Sequence, residues 1–162
     1  MGDARVRGTK PVTDLRKVFD DLVRFETVLW NTVDARLRRD HDFTLGGLNV
    51  LMVVDATAGC RVHDIARALA ITVGGTSQAV DRLEKADLLA RRPNPEDRRS
   101  SIVELTPTGR TILDAARATF DDELERHLRA PLSADTLAQL AGALDTVRRA
   151  TTTPSEPFGT AP

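Results

Sequence analysis

The sequence is poor in the residues from which many functional sites are built. It has one cysteine, three histidines, no tyrosine and 4% aromatic residues, and its formal net charge is −1. A single cysteine excludes an intrachain disulfide, and the near-neutral charge excludes a basic surface spread over the whole chain. No apolar run approaches the length of a membrane span and no signal peptide is visible, so we expect a cytoplasmic protein with no membrane partner.

Motifs for catalysis and metal binding are also missing. The sequence has no Gly-x-Ser-x-Gly elbow, no His-Glu-x-x-His pair, no P-loop and no dinucleotide fingerprint. Cys60 and His63 have half of a metal-site spacing, but a zinc ion needs about four ligands. A buried structural cysteine explains Cys60 more simply. We therefore predict no enzyme activity, no metal and no cofactor.

What the sequence does contain is a helix with a small polar outer face, over residues 72–86. Thr72 is a good N-cap, and Val73, Thr76, Val80 and Leu83 recur at the spacing of a buried helical stripe. Small polar side chains near a helix N-terminus reach base edges in a DNA major groove, and free N–H groups there suit a phosphate. The predicted DNA-binding residues of this helix are Thr72, Gly74, Gly75, Thr76, Ser77, Gln78 and Arg82.

Two adjacent glycines, Gly74 and Gly75, lie in this helix, where each costs about 1 kcal/mol relative to alanine. One explanation is that the missing side chains let the backbone approach DNA closely. The other is that glycine is less costly in a first turn. The sequence leaves both explanations open.

A basic hairpin follows the helix. Strands are predicted over residues 88–92 and 101–105, and the run from Pro93 to Asp97 consists of turn formers. Residues 91–99 of the hairpin have a net charge of +2, because they contain four arginines and two acidic residues. The arginines are Arg91, Arg92, Arg98 and Arg99, and the acidic residues are Glu96 and Asp97. Arginine is commonly inserted into a narrow minor groove. The alternative is a solvated charged hairpin without a DNA role.

The order of these segments resembles the MarR family of bacterial transcriptional regulators. The resemblance is close from about Asp64 to Gly109, and its most specific part is Asp97-Arg98-Arg99 followed by Leu105-Thr106-Pro107-Thr108-Gly109. It implies a mainly α fold with a small β-hairpin wing (α+β), a winged helix-turn-helix with N- and C-terminal dimerisation helices.

The resemblance also implies residue roles. Asp97 and Arg99 would pair and hold the wing, Arg98 and Arg99 would lie at the DNA, and Arg98 would enter the minor groove. Ser77, Gln78 and Arg82 would meet bases and backbone. Asp87 departs from the family pattern, which has a glycine at this helix end. Because aspartate tolerates the left-handed conformation better than most residues, we expect the helix end to survive at a small cost.

We divide the chain into a flexible arm over residues 1–12, a single domain over 13–150 and a disordered tail over 151–162. Residues 13–39 and 107–150 are the predicted dimerisation helices, and residues 44–105 are the predicted DNA-binding lobe. The wide apolar surface of the first helix suggests a partner subunit. Cys60 to Val62 is expected to form a short strand beside the wing, and Arg61 to touch a phosphate. The last helix, capped by Ser133, is expected to bury one face, formed by Leu137, Leu140, Ala141, Leu144 and Val147.

Together these features predict a homodimer that binds double-stranded DNA at a pseudo-palindromic operator. By the resemblance, repression is the default mode, and a small aromatic or anionic effector releases the DNA. The effector cleft would fall near Trp30, His41 and Phe43, although Trp30 and Phe43 also fit an ordinary core. Two alternatives remain: a winged-helix protein-interaction module without DNA binding, and a redox-responsive regulator acting through Cys60.

Overall fold

A computed structural model describes residues 13–97 and 100–152. These residues form six α-helices, namely α1 (Leu15–His41), α2 (Leu45–Ala56), α3 (Val62–Leu69), α4 (Val73–Lys85), α5 (Pro107–Leu124) and α6 (Ala134–Thr152). Two strands, β1 (Leu89–Pro93) and β2 (Ser101–Leu105), lie between α4 and α5, and a π-helical segment (Glu125–Arg129) follows α5. The predicted mainly α fold with a β-hairpin wing is confirmed. The predicted disordered tail is wrong at Thr151 and Thr152, which belong to α6, while the predicted arm and residues 153–162 lie outside the described residues.

Capping side chains set the helix starts. Asp14, which precedes α1, accepts a hydrogen bond from the backbone N–H of Arg16 at 3.0 Å. The caps predicted at Thr72 and Ser133 are confirmed, since Thr72 accepts from the N–H of Gly75 at 3.1 Å and Ser133 from that of Thr136 at 3.2 Å. Thr44 and Thr106 act in the same way, accepting from Gly47 at 3.0 Å and from Gly109 at 2.9 Å. A cap satisfies a donor within three residues of itself, so it is a local feature that sequence alone predicts well.

The chain divides into two compact units, the first ending at Ala116 and the second beginning at Arg117. The core of the first unit gathers apolar side chains from α1 to α5, among them Leu37, Leu48, Leu51, Ile65, Val80, Leu89, Val103 and Leu113. A partly buried polar contact ties α2 to α1, because the N–H of Leu45 donates to Asp34 Oδ1 at 2.8 Å. Burial raises the pKa of Asp34, but the hydrogen bonds from Arg38 and from Leu45 outweigh it and hold that pKa below its ordinary value.

The hairpin is antiparallel, with Leu89 opposite Leu105 and Pro93 opposite Ser101. The strand predicted at Cys60–Val62 is wrong, since the sheet in the described part of the chain has only β1 and β2. Cys60 contributes one carbonyl, which accepts from the N–H of Val103 at 2.7 Å, and Val62 already belongs to α3. The start of α3 is held by Asp64, whose carboxylate accepts from the N–H of Arg61 at 3.1 Å.

The turn between α4 and β1 confirms the expected role of Asp87. Its φ is 57°, in the left-handed region, and the N–H of Leu88 closes the helix by donating to the carbonyl of Leu83 at 2.9 Å. The Asp87 side chain also accepts a hydrogen bond from the hydroxyl of Thr108 at 3.2 Å. This aspartate therefore gains a contact that a glycine would lack.

Two helices carry apolar side chains that the described chain leaves exposed. On α1 only Val33 and Leu37 are buried, while Leu15, Val18, Phe19, Leu22, Val23, Phe25, Val28 and Trp30 are exposed. On α6 the predicted buried face is wrong for the single chain, since Leu140, Leu144 and Val147 are 37%, 44% and 60% exposed. Periodicity identifies an apolar face but does not identify what covers it.

None of the helices within residues 13–97 and 100–152 combines the length and apolar character needed to cross a membrane.

Candidate nucleic-acid interface

The outer face of α4 is exposed, as the DNA-binding prediction requires. Val80 and Leu83 pack into the core, which turns Gln78 and Arg82 outward on the same side of the helix, one turn apart. Neither the Gln78 side chain nor the Arg82 side chain makes a hydrogen bond or an ion pair with any described residue. Both side chains are therefore available to a partner molecule.

Two expectations for α4 need correction. Thr76 is fully buried and its hydroxyl donates to the carbonyl of Thr72 at 2.9 Å, so its side chain cannot contact DNA. Its exposed neighbour Val73, predicted for the buried stripe, is 49% exposed because it occupies the first turn of the helix. The buried stripe therefore begins at Thr76, which belongs to the core rather than to the DNA-binding set.

The first turn of α4 is compact and open to solvent. Thr72 uses its hydroxyl oxygen to cap the N–H of Gly75, which leaves its O–H proton as the group that can donate outward. A Cβ added at Gly74 would meet no atom within 4 Å, and one at Gly75 would meet Thr72 Oγ1 at 3.1 Å. Neither glycine has a positive φ. The fold thus gives no steric reason for glycine at position 74, and close approach to DNA stays a prediction.

A polar cleft of about 820 Å³ runs between α3, α4 and the hairpin. Ser77 lines it from α4, and Arg61, Arg67 and Arg91 line it together with Asp64. Arg67 pairs with Asp64 at 2.6 Å, whereas the Arg61 side chain makes no ion pair with a described residue. The cleft places the predicted residues Arg61 and Ser77 at one surface.

Half of the predicted wing arginines are neutralised within the protein. Arg91 pairs with Asp81 at 2.6 Å and with Glu84, and Arg92 pairs with Glu104 at 2.8 Å. The hydrogen bond from Arg92 holds the pKa of Glu104 below its ordinary value. The sequence suggested that these arginines were free to bind DNA, because their acidic partners lie on other secondary-structure elements.

The predicted wing tip lies outside the described residues. Arg98 and Arg99 belong to the gap between residues 97 and 100, so the Asp97–Arg99 pair and the minor-groove role of Arg98 stay predictions.

The turn of the wing is organised by Asn94, whose role the sequence did not reveal. Asn94 is 3% exposed, and its side chain donates to Ser100 Oγ at 2.9 Å and accepts from the N–H of Glu96 at 3.0 Å. Its backbone N–H donates to the carbonyl of Ser100 at 3.2 Å. An asparagine between two prolines was a usable signal, since asparagine side chains commonly bond the backbone two residues on.

Cys60 is unsuited to redox sensing. Its side chain is 1% exposed, and burial, helped by the nearby Asp64 carboxylate, raises the pKa of its thiol to about 11. Because the thiolate is the reactive form, a buried and protonated thiol reacts slowly at neutral pH. Among the described residues no group of three or more histidine, cysteine or acidic side chains is arranged to hold a metal ion.

An apolar cavity of about 490 Å³ lies between α1, α2 and the helix-turn-helix. Trp30, Leu69, Ile71, Asn49 and Arg82 are among its lining residues, so one predicted effector residue is at the cavity. His41 and Phe43 do not line it. The Phe43 ring instead lies over Gly47, where a Cβ would come within 2.7 Å of Phe43 Cζ.

Comparison with known proteins agrees with this geometry. Residues 41–100, from the end of α1 to the wing turn, match the MarR family. The multiple antibiotic resistance protein MarR of Salmonella typhimurium is 32% identical over 84 residues, which are 51% of this chain and 58% of that protein. The chain thus matches just over half the length of this relative.

Two solved structures show the same fold over most of the chain. Sco3205, a MarR family transcriptional regulator from Streptomyces coelicolor in complex with DNA, superposes with a TM-score of 0.81 at 23% identity and covers 89% of this chain and 94% of its own. The transcriptional repressor CouR, bound to a 23-mer DNA duplex, superposes with a TM-score of 0.73 at 26% identity. That match covers 85% of this chain and 99% of the CouR chain. The family match covers the α4 and wing-turn segments, and the fold agrees with that of these MarR family structures beyond them.

Proposed function

We propose that this protein is a sequence-specific DNA-binding transcriptional regulator. The observation that carries the proposal is the outer face of α4, where Gln78 and Arg82 are exposed without a partner among the described residues. Side chains of this kind read base edges and phosphates when a helix enters the major groove. The polar cleft beside α4 extends this surface toward the wing. No catalytic step is part of the proposal.

The relatives support the choice of partner. Sco3205 and CouR are both described as DNA-bound, and the match to the MarR family spans the residues that form α3, α4, β1 and the wing turn. The net charge of −1 argues for a local contact surface rather than general attraction to nucleic acid. We propose that the protein acts in the cytoplasm, where its DNA target lies.

We propose that the working form is a homodimer. Apolar side chains are exposed on α1, for example Phe19, Phe25 and Val28, and on α6, for example Val147. A second copy of the chain would bury them against the same apolar faces of its own helices. A dimer would present two α4 helices to half-sites about one helical turn apart, and its operator would be pseudo-palindromic. Light scattering after size exclusion should give twice the 17.7 kDa chain mass.

We propose that the apolar cavity receives a small aromatic anion and that its binding releases DNA, which makes the regulator a repressor by default. Trp30 offers an aromatic wall, and Arg82 lines the cavity while it also lies on the outer face of α4. An anion bound to Arg82 would compete with a DNA phosphate for the same guanidinium. Salicylate titration should weaken DNA binding by the wild type and much less by Trp30→Ala.

The test of DNA recognition is selection from a random duplex library, followed by fluorescence anisotropy of the enriched duplex and a scrambled one at several salt concentrations. We expect selective binding whose logarithm falls linearly with the logarithm of salt, at about −0.9 per phosphate contact. Gln78→Ala should change the enriched sequence, Arg98→Ala should weaken binding broadly, and Gln139→Ala, an exposed glutamine on α6, should do neither. Failure to enrich any sequence at low salt would reject the proposal and favour a protein-interaction module.

A further inference from the structure

One side chain joins the wing to α4. Arg91, the third residue of β1, places Nη2 2.6 Å from Asp81 Oδ1 and Nη1 against Glu84 Oε2. The backbone N–H of Arg91 donates to the other oxygen of Glu84, Oε1, at 3.2 Å. Glu84 therefore binds both the main chain and the guanidinium of the same strand residue.

The setting of these groups makes the contact more than a surface ion pair. The Arg91 side chain is 25% exposed, against 50% for Asp81 and 38% for Glu84. Partial burial opposes the charge, but the bonds to Asp81 and Glu84 outweigh it and hold the pKa of Arg91 above its ordinary value. A planar guanidinium with two acceptors fixes direction as well as distance.

The position of Arg91 along the hairpin is itself fixed. Arg91 lies opposite Val103, which is 1% exposed and whose N–H donates to the carbonyl of Cys60. On α4, Asp81 is one turn after Ser77, the residue that faces the polar cleft. The clamp formed by Arg91, Asp81 and Glu84 thus links the second half of α4 to the middle of β1.

We propose that Arg91 is a positioning residue that fixes the wing relative to α4, so that both meet one DNA duplex in register. The proposal rests on the DNA-binding function proposed above. Arg91 itself contacts no phosphate in this scheme, because its guanidinium is engaged by two carboxylates. Without the clamp the helix would keep its own base contacts, while the wing would lose its fixed place over the flanking base pairs.

The neighbouring arginine provides a matched control. Among the described residues the Arg92 side chain is bonded only within the hairpin, to Glu104, and both side chains are about half exposed. Arg92→Ala removes one positive charge from the wing without touching α4. Arg91→Lys keeps the charge of Arg91 but replaces the planar fork by a point charge that cannot serve two carboxylates in the same way.

The experiment compares the wild type with the single variants Arg91→Ala, Arg91→Lys and Arg92→Ala. It also includes the double variant Asp81→Asn/Glu84→Gln and the same double variant carrying Arg91→Ala in addition. Each variant is confirmed folded by circular dichroism, and all are put through library selection and anisotropy below the lowest melting temperature. For Arg91→Ala we expect an unchanged central half-site, loss of preference at the flanking positions, about tenfold weaker binding (about 1.4 kcal/mol) and an unchanged salt slope. Arg92→Ala should keep the flanking preference, and Arg91→Lys should lie between Arg91→Ala and the wild type.

The double-mutant comparison separates positioning from direct contact. If Arg91 acts through Asp81 and Glu84, Arg91→Ala should have little further effect once both carboxylates have been replaced. An equal loss in both backgrounds, together with a salt slope smaller by about 1, would show a direct phosphate contact and overturn the inference. If Arg91→Ala keeps the wild-type sequence preference at the flanking positions, the inference is also overturned. In that case selective DNA binding by the wild type still supports the proposed function. If the wild type enriches no sequence, the proposed function fails and the role of Arg91 fails with it.

Discussion

Gly109 provides the sharpest stability prediction. It is the third residue of α5, and a Cβ added there would lie 1.9 Å from the carbonyl oxygen of Leu88, 2.9 Å from its carbonyl carbon and 3.2 Å from its Cα. All three atoms are backbone, so no side-chain rotation relieves the overlap. Reaching an ordinary contact of about 3.4 Å requires the two segments to separate by roughly 1.5 Å.

That separation breaks bonds at two helix ends. The carbonyl of Leu88 accepts from the N–H of Thr106 at 3.2 Å, and the N–H of Leu88 closes α4 on Leu83 at 2.9 Å. Overpacking typically costs about 1–3 kcal/mol, and a strained hydrogen bond adds about 1 kcal/mol. The smaller entropy of the unfolded alanine chain returns about 0.4–1 kcal/mol. We expect Gly109→Ala to lower the free energy of unfolding by about 2–3 kcal/mol.

The measurement is thermal denaturation followed by circular dichroism at one fixed protein concentration, because the stability of the proposed homodimer would depend on concentration. For a chain of this size the expected loss corresponds to a melting temperature lower by roughly 4–12 °C. Gly142→Ala is the matched control: it lies within α6, a Cβ there meets nothing within 4 Å, and it should raise stability by up to about 1 kcal/mol. A Gly109→Ala protein that melts with the wild type would refute the steric argument.

Further predictions follow from other local features. At Asp87 the melting temperature should rank glycine above aspartate above alanine, because glycine removes the left-handed strain while alanine keeps it and loses the bond to Thr108; alanine as the most stable variant would contradict this. Asn94→Ala should leave the N–H of Glu96 without its acceptor and speed hydrogen exchange in the wing turn, at a cost of about 1–3 kcal/mol, with no change in α2. Gly74→Ala should raise stability by up to about 1 kcal/mol yet weaken DNA binding, and unchanged affinity would favour the first-turn explanation. Cys60 should resist iodoacetamide at pH 8 in the native protein and react once unfolded. Because burial raises the folded pKa of this thiol to about 11 from an ordinary value of 9.0, its contribution to stability should be intact below pH 9 and be lost between about pH 9 and 11; rapid native alkylation would contradict this.

The sequence predicted the helix starts well and the surroundings of the side chains less well. Each capping side chain bonds a residue three positions further along the chain, so a helix start can be predicted without knowing the fold. The capping residues are Thr44, Thr72, Thr106 and Ser133. The wing followed from its turn formers and from alternation in β2. These are local signals, and the structure confirms the elements that they predict.

Errors arose where a partner was distant or external. Arg91 looked like free charge in a basic hairpin because Asp81 and Glu84 lie seven to ten residues earlier, on a different element. Thr76 was counted both in the core stripe and among the DNA contacts, and only packing decided in favour of the core. Val147 fitted a buried stripe, yet it is 60% exposed, because an apolar period does not specify what covers it.

The length of α1 has a mechanical consequence. Its 27 residues form one unbroken helix of about 40 Å. Exposed apolar side chains lie along its first half, and its second half is anchored to α2 through Asp34 and to the core through Leu37. A rod of this length acts as a lever: a tilt of about 5° at one end moves the other end by about 3.5 Å, close to the rise of one base pair. In the proposed homodimer, small adjustments between the two copies along the first turns of α1 would therefore displace the proposed DNA-binding lobes by about one base-pair step.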